Sequence, residues 1–176
     1  MKKILKTFLV LSGAGVITSY GVDFVCVNGD KLLKESEYAQ KLKKEVEKKR
    51  KEFIEKFQEK ARELVTKIRQ LQTELSSGML SDEAKKEKQK ELIKLQQELQ
   101  MLQITTQQEV QRYVTSQLQK LDKLTKSALK ALSRVKGFKV ALDCNAVLYY
   151  DPSVDITDEV AKILDQLAEE AEAEKK

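Results

Sequence analysis

Apolar side chains recur through residues 31–75 at Tyr38, Leu42, Val46, Phe53, Phe57, Ala61, Leu64, Ile68, Leu71 and Leu75, with Lys, Arg, Glu and Gln between them. After Phe57 the intervals run 4, 3, 4, 3, 4, the rhythm of a helix that buries one narrow seam against a partner. No Pro or Gly interrupts the stretch, so the pattern predicts one helix of about 45 residues, about 67 Å long at 1.5 Å per residue. Ser76-Ser77-Gly78-Met79-Leu80-Ser81 breaks it: Gly78 suits the position just past a helix end, and Ser81 suits the N-cap of the next helix. Asp82 and Glu83 put negative charge in that helix's first turn, where the macrodipole favours it.

A second seam follows at Leu92, Leu95, Leu99, Leu102, Val110, Val114, Leu118, Leu121, Leu124, Ala128, Leu132 and Val135. It predicts a helix over 82–135, about 80 Å long. Two such helices joined by a short loop pack antiparallel, which gives a hairpin with its tip near 76–81. Residues 96–119 contain nine Gln, and Thr105 and Thr106 fall near seam positions, so the seam is weakened there.

The ends of the chain read differently. Residues 22–28 are β-branched and aromatic and predict a short strand, closed by the turn residues Asn28, Gly29 and Asp30. After Lys136 and Gly137, residues 138–143 and 147–150 predict two more short strands around Asn145. Pro152, the only proline, marks a turn. Thr157 is a plausible N-cap, and Val160, Ile163, Leu164 and Leu167 form the stripe of a final helix, with 169–176 expected to fray. The fold class is therefore mainly α: a long antiparallel coiled-coil hairpin, 31–136, on a small β-containing body built from 22–30 and 137–176. A body that small rarely supplies enough core alone, and its open sheet edges are templates for another copy, so oligomerisation through the base is expected.

Charge sharpens the division. Residues 31–136 hold 26 Lys/Arg against 16 Asp/Glu, whereas residues 137–176 hold 4 against 10. Asymmetry of this kind reports partners rather than fold. Lys2, Lys3 and Lys6 precede an uncharged stretch over 7–18, and Ser19 and Gly21 provide small residues at a cleavage site. Residues 1–21 thus read as a cleavable secretory signal cut after Gly21, too short in its apolar part to span a bilayer. In an exported chain Cys26 and Cys144 have two readings: a disulfide, or two buried thiols acting as small hydrophobes.

Enzyme chemistry is disfavoured. The chain has no histidine, which removes the commonest general base and metal ligand. Two separated cysteines without companion ligands make no zinc site, and no phosphate-binding glycine loop is present. Asp143 and Asp155 are expected to bond locally in turns rather than to act as a carboxylate pair. Neither cofactor nor metal is implied. Nucleic acid is a poor partner for a basic stripe that is exported and lacks interleaved aromatics.

The stretches Phe24-Val25-Cys26-Val27-Asn28, Val140-Ala141-Leu142-Asp143-Cys144-Asn145-Ala146-Val147 and Asp155-Ile156-Thr157-Asp158-Glu159-Val160, with Tyr149 or Tyr150, resemble the Skp/OmpH family of periplasmic chaperones. The cysteine pair is not part of that family pattern. The resemblance implies a jellyfish-like homotrimer: a β-rich body carrying three helical tentacles around a cavity, which holds unfolded outer-membrane proteins without ATP. It also implies a periplasmic location, and anionic lipid or lipopolysaccharide as a further partner. Candidate client contacts are Met79 and Leu80 at the tip, and Phe53 and Phe57, for which seam packing is the competing role. The cationic runs Lys48, Lys49, Arg50 and Lys51, and Lys85, Lys86 and Lys88, are candidates against the simpler role of solvated faces. The rival to a chaperone is a structural coiled-coil spacer or assembly element of the envelope.

Overall fold

The computed structural model describes residues 23–174; the segment read as a signal sequence, with its cut after Gly21, lies outside them. Strand β1 (Phe24–Val27) is followed by helix α1 (Gly29–Glu35), the long helices α2 (Glu37–Ser76) and α3 (Asp82–Lys136), strand β2 (Val140–Asp143) and helix α4 (Thr157–Ala173). β1 and β2 pair in parallel, Phe24 beside Val140 and Cys26 beside Leu142. Parallel neighbours require a crossover, and here the crossover is the whole hairpin. Both ends of the arm are thereby fixed at one sheet.

α2 and α3 pack antiparallel, about 60 Å and 80 Å long at 1.5 Å per residue. The turn between them has the expected chemistry: Gly78 has φ +73°, and the Ser81 hydroxyl accepts from the Ala84 N–H. Gly137 closes α3 with φ +77°, its N–H bonded to the Ser133 carbonyl. All ten predicted seam residues of α2 are buried or half-buried. In α3 the seam departs from the expected frame. It passes through Thr106 and the buried Gln117, while Leu118 and Val135 face solvent. The steps from Leu99 through Thr106 and Gln117 to Leu132 number nine in 33 residues. That is about 3.67 residues per step, an 11-residue repeat rather than a heptad; it puts Gln117 in the seam and Leu118 outside it, while the expected Leu121, Leu124, Ala128 and Leu132 stay buried or half-buried.

Below the arm, Val25, Leu32, Ala128, Leu132, Phe138, Ile156, Val160, Ala161 and Leu164 form one core cluster. β1, α1, α4 and the last turns of α3 converge on it. Four further expectations are corrected here. The predicted single helix 31–75 is interrupted at Ser36, whose backbone is extended (φ −81°, ψ 125°) and whose hydroxyl caps α2. Asn28 caps α1, its side chain accepting from the Lys31 N–H, so the residues read as a turn open a helix instead. Residues 147–150 are not a strand; they lie between two short 3-10 turns, 144–146 and 152–154, and Leu148 and Tyr149 stand in solvent. β propensity without a neighbouring strand does not make a ladder. The tail is helical to Ala173, tied to the arm by the Lys41–Glu172 ion pair.

Candidate binding surfaces and their mounting

The base grips the arm through residues far apart in sequence. The Asp165 carboxylate on α4 accepts from the Ser36 hydroxyl at 2.6 Å and from the N–H groups of Glu37 and Tyr38 at 3.1 Å. Ser36, fully buried, in turn accepts from the Ala39 N–H at 3.1 Å. A carboxylate is thus held against the free amides opening α2, where both hydrogen bonding and the macrodipole favour it. Tyr38 packs against the core cluster, and its partial burial raises the phenol's pKa. Sequence reasoning missed this mount; a serine among Glu and Lys was its only local signal.

A second clasp closes the sheet. Ile156 N–H donates to the Cys26 carbonyl at 3.0 Å, and Asn28 N–H donates to the Thr157 hydroxyl at 2.9 Å. Thr157 is the first helical residue rather than the cap, and both its hydroxyl and its N–H donate to Asp155. Burial pushes the Asp155 carboxyl up, but the Thr157 donors and the Lys31 ammonium outweigh it and hold the group below its ordinary value. Asp143 likewise bonds locally, accepting from the Asn145 N–H at 2.9 Å. The two aspartates are turn-builders. Cys26 and Cys144 are joined as a disulfide, Cα atoms 5.0 Å apart across 118 residues of sequence. Both are buried, so the bond crosses the base beside the clasp.

The sheet turns one face outward. Phe24, Val140 and Leu142 are exposed on it, with Leu148 and Tyr149 beyond the end of β2. Five exposed apolar side chains on one small body are unusual for a surface that meets only water.

The predicted client contacts are distributed along the arm rather than gathered. Phe53 is half-buried in the seam, edge-on to Tyr113 with ring centroids 6.4 Å apart, and Phe57 is half-buried too. Lys49 pairs with Glu52 at 2.8 Å and lies 5.5 Å from the centre of the Phe53 ring, while Lys48, Arg50 and Lys51 are exposed. Lys88 pairs with Glu74 across the helices, Lys85 is half-buried and Lys86 is exposed. The two cationic runs therefore sit about 35–40 Å apart along the hairpin. At the tip Met79 is 89% exposed, and Leu80 is half-buried. Among the described residues no His/Cys/Asp/Glu group is arranged to hold a metal ion, and no helix is long and apolar enough to cross a membrane.

A protein of Aquifex aeolicus (strain VF5), without an assigned function, is 35% identical over 166 residues, covering 94% of this chain and all of that one. A crystal structure of an OmpH-like protein from Caulobacter crescentus CB15 has the same fold, with a TM-score of 0.65 over 82% of this chain and 85% of that one at 18% identity. The profile of the OmpH-like outer membrane protein family matches residues 23–164, from β1 through the arm and into α4. With both strands, the hairpin and the first half of α4 inside that match, the chain belongs to the OmpH-like family.

Proposed function

We propose that the protein is an ATP-independent periplasmic holdase that keeps unfolded outer-membrane proteins from aggregating between basic helical arms. The observation that carries this reading is the arm itself. Two helices joined by a single seam leave most of their surface to solvent, far more than packing alone calls for, and that surface carries a net positive charge. A long, basic, partly apolar surface suits many weak contacts with an unfolded chain, and such contacts release without an energy source. Family membership supports a chaperone role, and the Caulobacter neighbour is itself provisionally described as an outer-membrane chaperone.

In this reading three copies associate through the outward face of the sheet. Phe24, Val140 and Leu142 become core, and Leu148 and Tyr149 gain the partner they lack in one copy. Residues 1–21 direct export and are removed after Gly21, and the oxidising compartment preserves the Cys26–Cys144 bond. The exposed tip residue Met79 and the basic runs at 48–51 and 85–88 contribute to holding, and the same cations attract anionic lipid or lipopolysaccharide.

The test is dilution of a urea-unfolded outer-membrane β-barrel protein into buffer with and without the purified protein, followed by light scattering. Suppression at about one trimer per client, weakening as salt rises, is expected for electrostatic, multivalent holding. A folded, helical sample that suppresses nothing at any ratio overturns the reading and leaves an envelope spacer as the better account.

A further inference from the structure

The two faces of the hairpin differ in chemistry. Each seam residue is flanked by the position before it on one side of the seam and the position after it on the other. Lys60, Glu63 and Lys67 of α2 precede seam residues and share one groove with Glu98, Met101 and Thr105 of α3, so the preceding positions of both helices open on the same side. Helical periodicity then turns the following positions, Ile54, Arg62, Val65 and Arg69 on α2 and Ile93, Gln100 and Leu118 on α3, to the opposite side.

The groove side is a mixture of opposite charges, with Glu52, Glu63, Glu98 and Glu109 among Lys60 and Lys67. The other side has no carboxylate at the positions following the seam across 54–72 and 93–118. At those positions the charges are Arg62 and Arg69 and the remainder is apolar, amide or hydroxyl, with Glu55 and Glu59 bordering Arg62 from the outer surface of α2. Most of the glutamines of the 96–119 tract that follow seam residues fall here, Gln100, Gln107 and Gln111 among them, all exposed. So do four of the exposed apolar side chains of the arm: Ile54, Val65, Ile93 and Leu118 are each 41–58% exposed.

We infer that this face of arginine, glutamine and apolar side chains is the docking surface for an extended polypeptide whose side chains alternate apolar with acidic or amide groups. The inference rests on the holdase reading and deepens it by naming the face and the chemistry it selects. Arg62 and Arg69 attract carboxylates, and Arg69 stands clear of Glu55 and Glu59, which border Arg62 alone. The glutamine amides both donate and accept, so they match an unpaired backbone that still carries its N–H and C=O groups. The apolar residues provide spaced footholds. Ile54 and Val65 are eleven residues apart. That is about 16 Å of helix, which an extended chain crosses in about five residues. A folded partner with a fixed curved surface would meet only an open, shallow groove between Phe57 and Arg69. An extended one meets a repeating track, and the opposite side of mixed charge is left to water.

Charge-matched variants separate the faces. Arg62→Glu with Arg69→Glu changes net charge by the same amount as Lys60→Glu with Lys67→Glu, and all four side chains are exposed. Binding of a urea-unfolded outer-membrane β-barrel protein is measured by fluorescence titration at low salt, with circular dichroism melts to show that both variants fold. The first pair is expected to weaken binding by about tenfold or more and the second by less than about twofold. Ile93→Ser with Leu118→Ser is expected to weaken it further than Met101→Ser on the groove side. Equal losses from both pairs, or a larger loss from the groove side, overturn the assignment of the face while leaving the holdase reading intact. Wild-type protein that holds no client overturns both.

Discussion

The base and the arm bury the same kinds of residue to very different depths. Val160 and Leu164 in the base are 0% exposed, whereas the best-buried leucines midway along the arm, Leu64 and Leu71, are 7% exposed and most of the seam is half-buried. In the base, four elements converge on one core cluster. In the arm, a seam residue meets only the facing helix. Stability is therefore concentrated where the chain ends meet, and the arm depends on its root and its own narrow seam. In the proposed holding role the difference has a use: an element that buried its apolar residues fully would have none to offer a client, and one without a firm root could not direct them.

The largest expected effect comes from the bond across the base. Cys26→Ser with Cys144→Ser opens a loop of 118 residues, which in the chain-entropy account costs about 4–5 kcal/mol of stability. Calorimetry is expected to show the base unfolding at a markedly lower temperature. Thiol titration of the unfolded, unreduced protein is expected to find no free cysteine, and an unchanged melt would deny the bond any role in the contrast. Next in size, Leu164→Ala removes a side chain enclosed on every side and is expected to cost about 2–5 kcal/mol. Ile68→Ala, half-buried in the seam, is expected to cost about 1 kcal/mol, because less area is lost and neighbouring Lys and Arg stems can cover the gap. Equal losses at the two sites by denaturant titration would erase the distinction between base and arm.

Acid is expected to act on the base selectively. Asp155 is held below its ordinary pKa in the folded protein, so its contribution is complete above the unfolded value of about 4 and is lost as pH falls through the lower, folded value. Stability measured from pH 6 down to pH 2 is expected to fall less steeply in Asp155→Asn than in the wild type. Parallel curves would remove Asp155 from the account of the clasp.

The sequence discloses these regions unequally. The seam of α2 was legible because a helix needs only its own periodicity to declare which face is buried. The break at Ser36 was hidden because its cause, Asp165, lies 129 residues away. Asp143 and Asp155 declared their local bonding through turn chemistry within two residues. The pairing of the cysteines depends on a distance that spacing does not encode. Residues 147–150 carried strand propensity but no partner in the same chain. In the arm, the expected frame placed Leu118 in the seam, and the 11-residue spacing through Thr106 and Gln117 placed it outside. That single-position shift decides which face of the arm holds apolar side chains, so the frame had to be known before the two faces could be told apart.

Gln117 offers the finest test of how the arm differs from the base. It is buried at a seam position, with its amide nitrogen donating to Ser116 Oγ at 3.2 Å and its carbonyl accepting from Lys120 Nζ at 3.2 Å. Both partners lie near the surface and can turn to water, so Gln117→Leu strands neither of them. Leucine fills a similar volume with apolar atoms and is expected to stabilise the hairpin by about 0.5–1 kcal/mol. Native-state hydrogen exchange is the sensitive measurement, because local opening of the arm is reported by its own amides while the base exchanges by global unfolding. Amides near 106–121 are expected to exchange severalfold more slowly in the variant, with those of α4 unchanged. Faster return of exchange at the tip than at the root would show that the seam loosens from its far end. Unchanged exchange around Gln117 would mean that the polar seam is not what keeps the arm pliant, and that its narrowness alone sets it apart from the base.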